Sequence, residues 1–289
     1  MGIQLSHSAK NKYMNCPLSY YMYYILKYRE EKTTSPLIFG STIEEGLDAL
    51  LLGKTLEEAQ RLFKDAWSNP TVNGVQVEGR TTDMIKFSKA DSKEGLADTP
   101  WESMLIKGNM LLEAYQAEVL PGIKNIISLQ EKVKIDHSNG EDSIIGYADL
   151  IVELQDGRIA LMDNKTSSKA YPSDAVVAGD KAKQLALYNE ALKDKYDIDV
   201  VGFYVLEKGI RKKHPRTRIQ TLMGNVPEPL IEETFDEIEN VLYGIRMGQF
   251  ESNHPNCNQF YGKCICNKYA PSGGVDTSGL ICTKKDKKC

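Results

Sequence analysis

Two acids and an amine stand out in the stretch IIGYADLIVELQDGRIALMDNK, residues 144–165. Ile144–Leu154 is rich in Ile, Val, Leu and Tyr, Gln155-Asp156-Gly157 supplies a turn, and Arg158–Met162 begins a second apolar run. That pattern predicts a β-hairpin. Asp149 interrupts the first strand, Asp163 stands at the end of the second, and Lys165 follows two residues later. Residues two apart in a strand share a face, so Asp163 and Lys165 project together, with Asp149 close by on the partner strand. Two carboxylates and an ammonium at a strand end suit a hard divalent cation beside an anionic substrate. A solvent-facing edge with one ordinary salt bridge is the competing reading.

The elements that must hold this triplet follow from the rest of the chain. Its 289 residues are enough for a substantial core, and 41% hydrophobic with 26% charged content argues against disorder. A net charge of −4 argues against a globally basic coat for nucleic acid, without touching a local basic groove. No secretory h-region and no run of about 18 apolar residues occurs. A cytoplasmic protein without a membrane partner is therefore expected.

Leu5 to Pro17 predicts a short capped helix that stops before Pro17, and Leu18–Tyr28, apolar nearly all round, predicts a core helix. Further helices are expected from Phe39 through Leu52, over Lys54–Trp67 and over Trp101–Val119, with a loop across Asn69–Thr99. A strand starts at Ile126, the hairpin follows, and Lys181–Tyr196 reads as an amphipathic helix. Asp199–Glu207 and Thr217–Met223 read as strands and Glu228–Met247 as the last long helix. This order predicts a central mixed β-sheet flanked by helices in one α/β domain. Its expected parts are a helical segment over about 1–122, an α/β core over about 123–250 and a cysteine-rich tail over 251–289.

Gln184 and Tyr188, four residues apart on one helix face, complete a wider pattern. Gly146-x-x-Asp149, Asp163-x-Lys165 with Thr166-Ser167, and Gln184-x-x-x-Tyr188 together resemble the RecB-type exonuclease branch of the PD-(D/E)XK nuclease superfamily. The resemblance extends to the amino-terminal Cys16-Pro17, the Gly40-x-x-x-Glu44 helix and the distal cysteines. Each motif is common alone; their order and spacing carry the likeness.

The resemblance implies a restriction-endonuclease-like core with helical N-terminal and inserted segments, and metal-dependent hydrolysis of phosphodiesters. Asp149 and Asp163 would hold Mg2+ or Mn2+, with Glu44 and the backbone carbonyl of Asn164 as further ligands. Lys165 would orient or help deprotonate the attacking water and offset phosphate charge. Gln184 would position a phosphate or the Lys165 region, and Tyr188 would pack or donate near the substrate. Two departures from the family pattern bear on this. Glu44 stands where many RecB-type members have His, and Asn164 replaces the usual apolar or aromatic residue. Glu45 and Glu131 are auxiliary acids better read as exposed charges.

Six cysteines are unevenly placed, with Cys16 alone and Cys257, Cys264, Cys266, Cys282 and Cys289 in the last 33 residues. Metal or iron–sulfur ligation is favoured over a disulfide framework. The resemblance implies a [4Fe–4S] cluster on Cys16, Cys257, Cys264 and Cys282, with Cys266 the alternative fourth ligand and zinc the alternative metal. The basic run with Arg211, Lys212, Lys213, Arg216 and Arg218 is a candidate DNA-backbone contact.

The expected activity is that of a deoxyribonuclease, an exonuclease acting on single strands or duplex ends in phage or mobile-element recombination and repair. A nuclease of CRISPR spacer acquisition and a non-catalytic DNA-binding protein are the alternatives. No Gly-x-x-x-x-Gly-Lys-Ser/Thr segment is present, so any helicase or recombination protein is a separate partner.

Overall fold

The computed structural model describes residues 2–92, 94–210, 217–253 and 280–283. Its main helices are α1 (His7–Asn15), α2 (Ser35–Leu51), α3 (Leu56–Ser68), α4 (Pro100–Glu118), α5 (Gly179–Leu192) and α6 (Glu228–Arg246). Its main strands are β1 (Gln4–Leu5), β2 (Tyr28–Glu30), β3 (Ile123–Asp136), β4 (Ser143–Leu154), β5 (Ile159–Ser167), β6 (Val200–Glu207), β7 (Arg218–Gly224) and β8 (Leu280–Cys282). The chain separates into two compact units, each assembled from segments distant in sequence. One comprises Met1–Glu31, Val133–Gly146 and Glu232–Cys289; the other comprises Lys32–Lys132 and Tyr147–Ile231.

In the first unit, the Ser6 side chain caps α1 by accepting from the Ala9 N–H at 3.2 Å. Lys10, buried on α1, pairs with Glu237 on α6. The helix expected over Leu18–Tyr28 is shorter: it runs from Pro17 to Tyr20 and continues as a π-turn over Tyr21–Ile25. Lys27, at φ 65, then turns the chain into β2, because a left-handed residue ends helical pairing. β2 pairs antiparallel with β8, Tyr28 facing Cys282.

The second unit holds a mixed sheet. β4 and β5 are antiparallel, β5 and β6 parallel, and β6 and β7 antiparallel, while β3 pairs with β4. Gly157, at φ 89, closes the β4–β5 hairpin in a conformation that favours glycine. β6, VVGFYVLE, is buried at every position, as a continuous apolar run predicts for an inner strand. Alternate residues Leu150, Val152, Ala160, Met162, Tyr204 and Leu206 share one core with α2, α3 and α4. The residues between them face the other way, where α5 packs on β5 and β6. The central mixed sheet flanked by helices is as expected.

Local signals set the helix starts. A capping box on Thr55 and Glu58 opens α3, and Thr99, with Pro100 following, opens α4. The stretch over 69–99 is irregular, as predicted, yet tied down: Ile85–Lys86 pairs with Thr33–Thr34, and buried Asp91 accepts from the Ser35 hydroxyl at 2.8 Å. Among the described residues, no helix is long and apolar enough to cross a membrane.

Glycine permits the helices to meet closely. A Cβ on Gly108 of α4 would lie 2.1 Å from Phe63 Cε1 on α3. On an open helix Gly→Ala is favourable by about 1 kcal/mol, whereas overpacking a core costs about 1–3 kcal/mol. Gly108→Ala is therefore expected to lower the urea midpoint with an unchanged m-value. A raised midpoint would show that α3 and α4 do not approach this closely.

Candidate functional site

The β4–β5 register pairs Leu150 with Met162, so the next step brings Asp149 opposite Asp163. There a side chain replaces the backbone ladder: Asp149 Oδ2 accepts from the Asn164 N–H at 3.0 Å. Asp163 and Lys165, two apart on β5, share a face as predicted, with Asp163 Oδ2 2.5 Å from Lys165 Nζ. The Asp163 side chain is 2% exposed and that of Lys165 28%. Both Asp163 oxygens are buried without a well-formed hydrogen bond, despite the nearby ammonium.

Water is scarce at this strand end, and the titrations follow from that. Burial pushes the Asp149 carboxyl well above its ordinary value, and Asp163 adds to the shift against the pull of Lys165 and the Asn164 N–H. Burial likewise raises Asp163, opposed by Lys165. For Lys165 burial works against the charge, but Asp163 and Asp149 outweigh it and hold the ammonium above its usual range. At neutral pH Lys165 is a cation.

A cleft of about 360 Å³ opens beside this group, its wall including Leu37, Gly40 and Glu44 of α2 and Asn164, Lys165 and Thr166 of β5. Glu44 reaches solvent, yet partial loss of water, with the charges of Asp48, Asp163 and Glu45, lifts its carboxyl to about 7 against the pull of Lys165. Neighbouring Glu45 is exposed. The Asn164 side chain points away from Asp163 and accepts from the Tyr115 hydroxyl at 3.2 Å, so this departure falls in the packing behind the site.

Across α5, the Gln184 amide donates to the Tyr188 hydroxyl at 3.1 Å. Burial raises the Tyr188 phenol, which also feels Asp163, Lys165 and Asp149. The second unit thus brings Glu44, Asp149, Asp163, Asn164, Lys165, Gln184 and Tyr188 into one neighbourhood. Glu131 is engaged elsewhere, 2.5 Å from Lys195 Nζ.

Two neighbours escaped the sequence reading. Asp48, one turn beyond Glu44, is half-buried with a carboxyl raised by burial and by Glu45; its i+4 spacing was the available signal. Tyr171 lies in the connection between β5 and α5, and its phenol feels Lys165 and Asp163. Nothing periodic marks that residue.

Arg211, Lys212, Lys213 and Arg216 lie outside the described residues. Arg218 is ion-paired, its Nε 2.5 Å from Glu207 Oε1 across the β6–β7 ladder. Cys257, Cys264 and Cys266 also lie outside the described residues. In the first unit Cys16 is buried in a small cluster with Leu18, Met22, Tyr28 and Leu280. Cys282 sits on the strand paired with Tyr28 and is disulfide-bonded, which competes with the cluster ligation expected of it.

Among the described residues no three His, Cys, Asp or Glu side chains converge as a preformed metal cage. The fit to a divalent cation rests on the aspartate pair: two hard oxygen donors in little water, both driven towards protonation, with the Asp163 oxygens poorly satisfied. For a cluster, the supporting feature is that Cys16 and the strand bearing Cys282 meet in one buried patch.

Among known proteins, the family model for the PD-(D/E)XK nuclease superfamily matches residues 4–267. No curated protein matches the chain. A solved structure titled "Crystal structure of SSO0001" is 16% identical over 60% of this chain and 72% of that one, with a TM-score of 0.35.

Asp149 gives the site a measurable signature. Its folded-state pKa is raised, so above the unfolded value the native state keeps a proton that the unfolded chain has lost, and stability falls as pH rises. In EDTA, Asp149→Asn is expected to melt above the parent at pH 7, the gap closing as pH drops towards 4. Millimolar Mg2+ should raise the parent's Tm and leave that of Asp149→Asn nearly fixed. Equal shifts on adding the cation would remove Asp149 from its ligands.

Proposed function

From the premise that this chain belongs to the PD-(D/E)XK nuclease superfamily, we propose that it is a metal-dependent deoxyribonuclease of the RecB-type branch. It acts as an exonuclease on DNA single strands or duplex ends, in recombination or repair of phage or mobile-element DNA. The observation that carries this reading is the juxtaposition of two low-water carboxylates with a charged lysine on the wall of an open cleft. Residues 1–289 are read as one nuclease domain, since the family match draws on segments of both units.

Asp149 and Asp163 would hold Mg2+ or Mn2+, aided by Glu44 and the Asn164 carbonyl. Bound there, the ion supplies Lewis-acid polarisation of a phosphoryl oxygen and a more acidic water. Lys165, kept charged by its two acids, offsets the charge that builds on phosphate and orients the attacking water. Its raised pKa favours this donor role over general-base work. Tyr188, accepting from Gln184, retains its own proton to donate towards a substrate oxygen. The low exposure of Asp163 strengthens each of these interactions relative to water.

The second part of the proposal is structural. Cys16 with three distal cysteines, Cys257, Cys264 and either Cys282 or Cys266, holds a [4Fe–4S] cluster that clasps the first unit.

Incubating linear single- and double-stranded DNA with Mg2+ or Mn2+ tests the activity. Cleavage by the parent is expected, with Asp163→Ala and Lys165→Ala each reducing it by at least about a hundredfold while the melting transition stays cooperative. Undiminished cleavage by both variants would place the chemistry elsewhere. For the cysteines, protein purified without oxygen should be brown and contain iron, and Cys16→Ser should lose both colour and iron. A colourless, iron-free parent with Cys282 still in a disulfide would sink the cluster.

A further inference from the structure

Tyr171 lies between β5 and α5, at a position with no role in the nuclease reading so far. Its backbone is gripped by one side chain of β7: the Tyr171 N–H donates to Gln220 Oε1 at 2.7 Å, and Gln220 Nε2 donates to the Tyr171 carbonyl at 3.0 Å. Two hydrogen bonds in opposite senses fix both position and orientation. The ring packs edge-to-face on Phe203, centroids 5.9 Å apart, and Phe203 is the β6 partner of Asp163 in the parallel ladder. The residues that follow hold the connection as a compact turn, Val177 and Ala178 both donating to the Asp174 carbonyl. Buried Val176 packs against Gly224 of β7.

This anchoring sets the Tyr171 ring on Phe203, the ladder partner of Asp163. The charges of Lys165 and Asp163 act on the Tyr171 hydroxyl, and among the described residues the hydrogen bonds of Tyr171 are those of its backbone. Lys181, in the first turn of α5, places its Nζ 4.5 Å from the centre of the Tyr171 ring. Lys181 is exposed and makes no ion pair among the described residues. An O–H donor and a solvent-facing ammonium therefore share one ring, and that ring packs on the ladder partner of Asp163. The face is suited to phosphate oxygens and supplies both a directed hydrogen bond and a charge.

We propose that Tyr171 and Lys181 form a second phosphate contact, binding the nucleotide next to the one being cleaved, and that Gln220 is the positioning residue that presents Tyr171. The inference rests on the nuclease reading and extends it to the path of the DNA strand on the α5 side of the site. Tyr171 donates to a non-bridging phosphate oxygen, and Lys181 adds the charge. Gln220 acts only through Tyr171.

Binding of a short fluorescein-labelled single-stranded oligodeoxynucleotide, followed by anisotropy in EDTA on an Asp163→Asn background, tests this without cleavage. Tyr171→Phe keeps the ring on Phe203 and should leave Tm unchanged while weakening binding about tenfold, the effect of losing one hydrogen bond to a charged group. Gln220→Leu, with the phenol intact but unclamped, should weaken binding in the same direction. Lys181→Gln should reduce the slope of log K against log salt by about one, and Tyr171→Phe should not change that slope. Binding by Tyr171→Phe within twofold of the background protein overturns the proposal, as does an unaltered salt slope in Lys181→Gln. If the parent cleaves DNA and these variants bind normally, this contact alone fails. A parent that neither binds nor cleaves DNA overturns the nuclease reading and this contact with it.

Discussion

Two carboxylates that cannot comfortably be charged together, held against one ammonium at the end of a strand pair, are the constraint the second unit is built around. Asp149 and Asp163 are both pushed towards protonation by burial, while Lys165 stays charged beside them. Such a group is unfavourable unless the scaffold fixes it, since buried charges relax, take up protons or draw in water when their surroundings yield. The scaffold here is rigid for identifiable reasons. β6 is buried along its whole length and pairs with β5 in continuous register from Val200–Ala160 to Glu207–Ser167. On the opposite face, α2, α3 and α4 close over the sheet through contacts that leave no room at Gly46 and Gly108. The acids are held where they are by the packing of apolar residues around them.

That division of labour explains what could be read from the sequence. The hairpin and the facing of its charges follow from a period of two and a Gly157 turn, both local. Alternation put Asp163 and Lys165 on one side, and the hairpin register then fixed Asp149 opposite Asp163. Helix starts at Thr55 and Thr99 are similarly legible, because a cap is a property of four consecutive residues. Other features depend on the fold and were hidden. The charge state of Glu44 is set by partial loss of water in the fold and then by Asp48, Lys165 and Asp163, the last two on another element. Tyr171 has no motif around it, and its place comes from Gln220, 49 residues away. The tract after Pro17 misled because its apolar character called for burial, while the left-handed Lys27 that ends the helix carries no composition signal.

Long-range contacts also decide what forms a unit. Each is assembled from segments that alternate along the chain, and β3 and β4 contribute residues to both. Compactness follows long-range contacts, which composition does not encode.

The first unit raises a different physical question. β2 and β8 are three residues each, and a strand pair of that length is marginal by itself. The apolar cluster beneath it is small: Cys16, Leu18, Met22, Tyr28 and Leu280, flanked by Tyr21 and Leu26. Joining residues near 28 to residues near 281 also closes a very long loop, whose entropic cost grows slowly with length but is never zero. A short ladder and a few buried side chains offset that cost poorly, so a further cross-link is the expected complement. Cys16, buried in this cluster, and disulfide-bonded Cys282 on β8 stand where one is needed. A disulfide or a cysteine-bound metal there would supply such a link, since either holds distant parts of the chain together before the ladder forms.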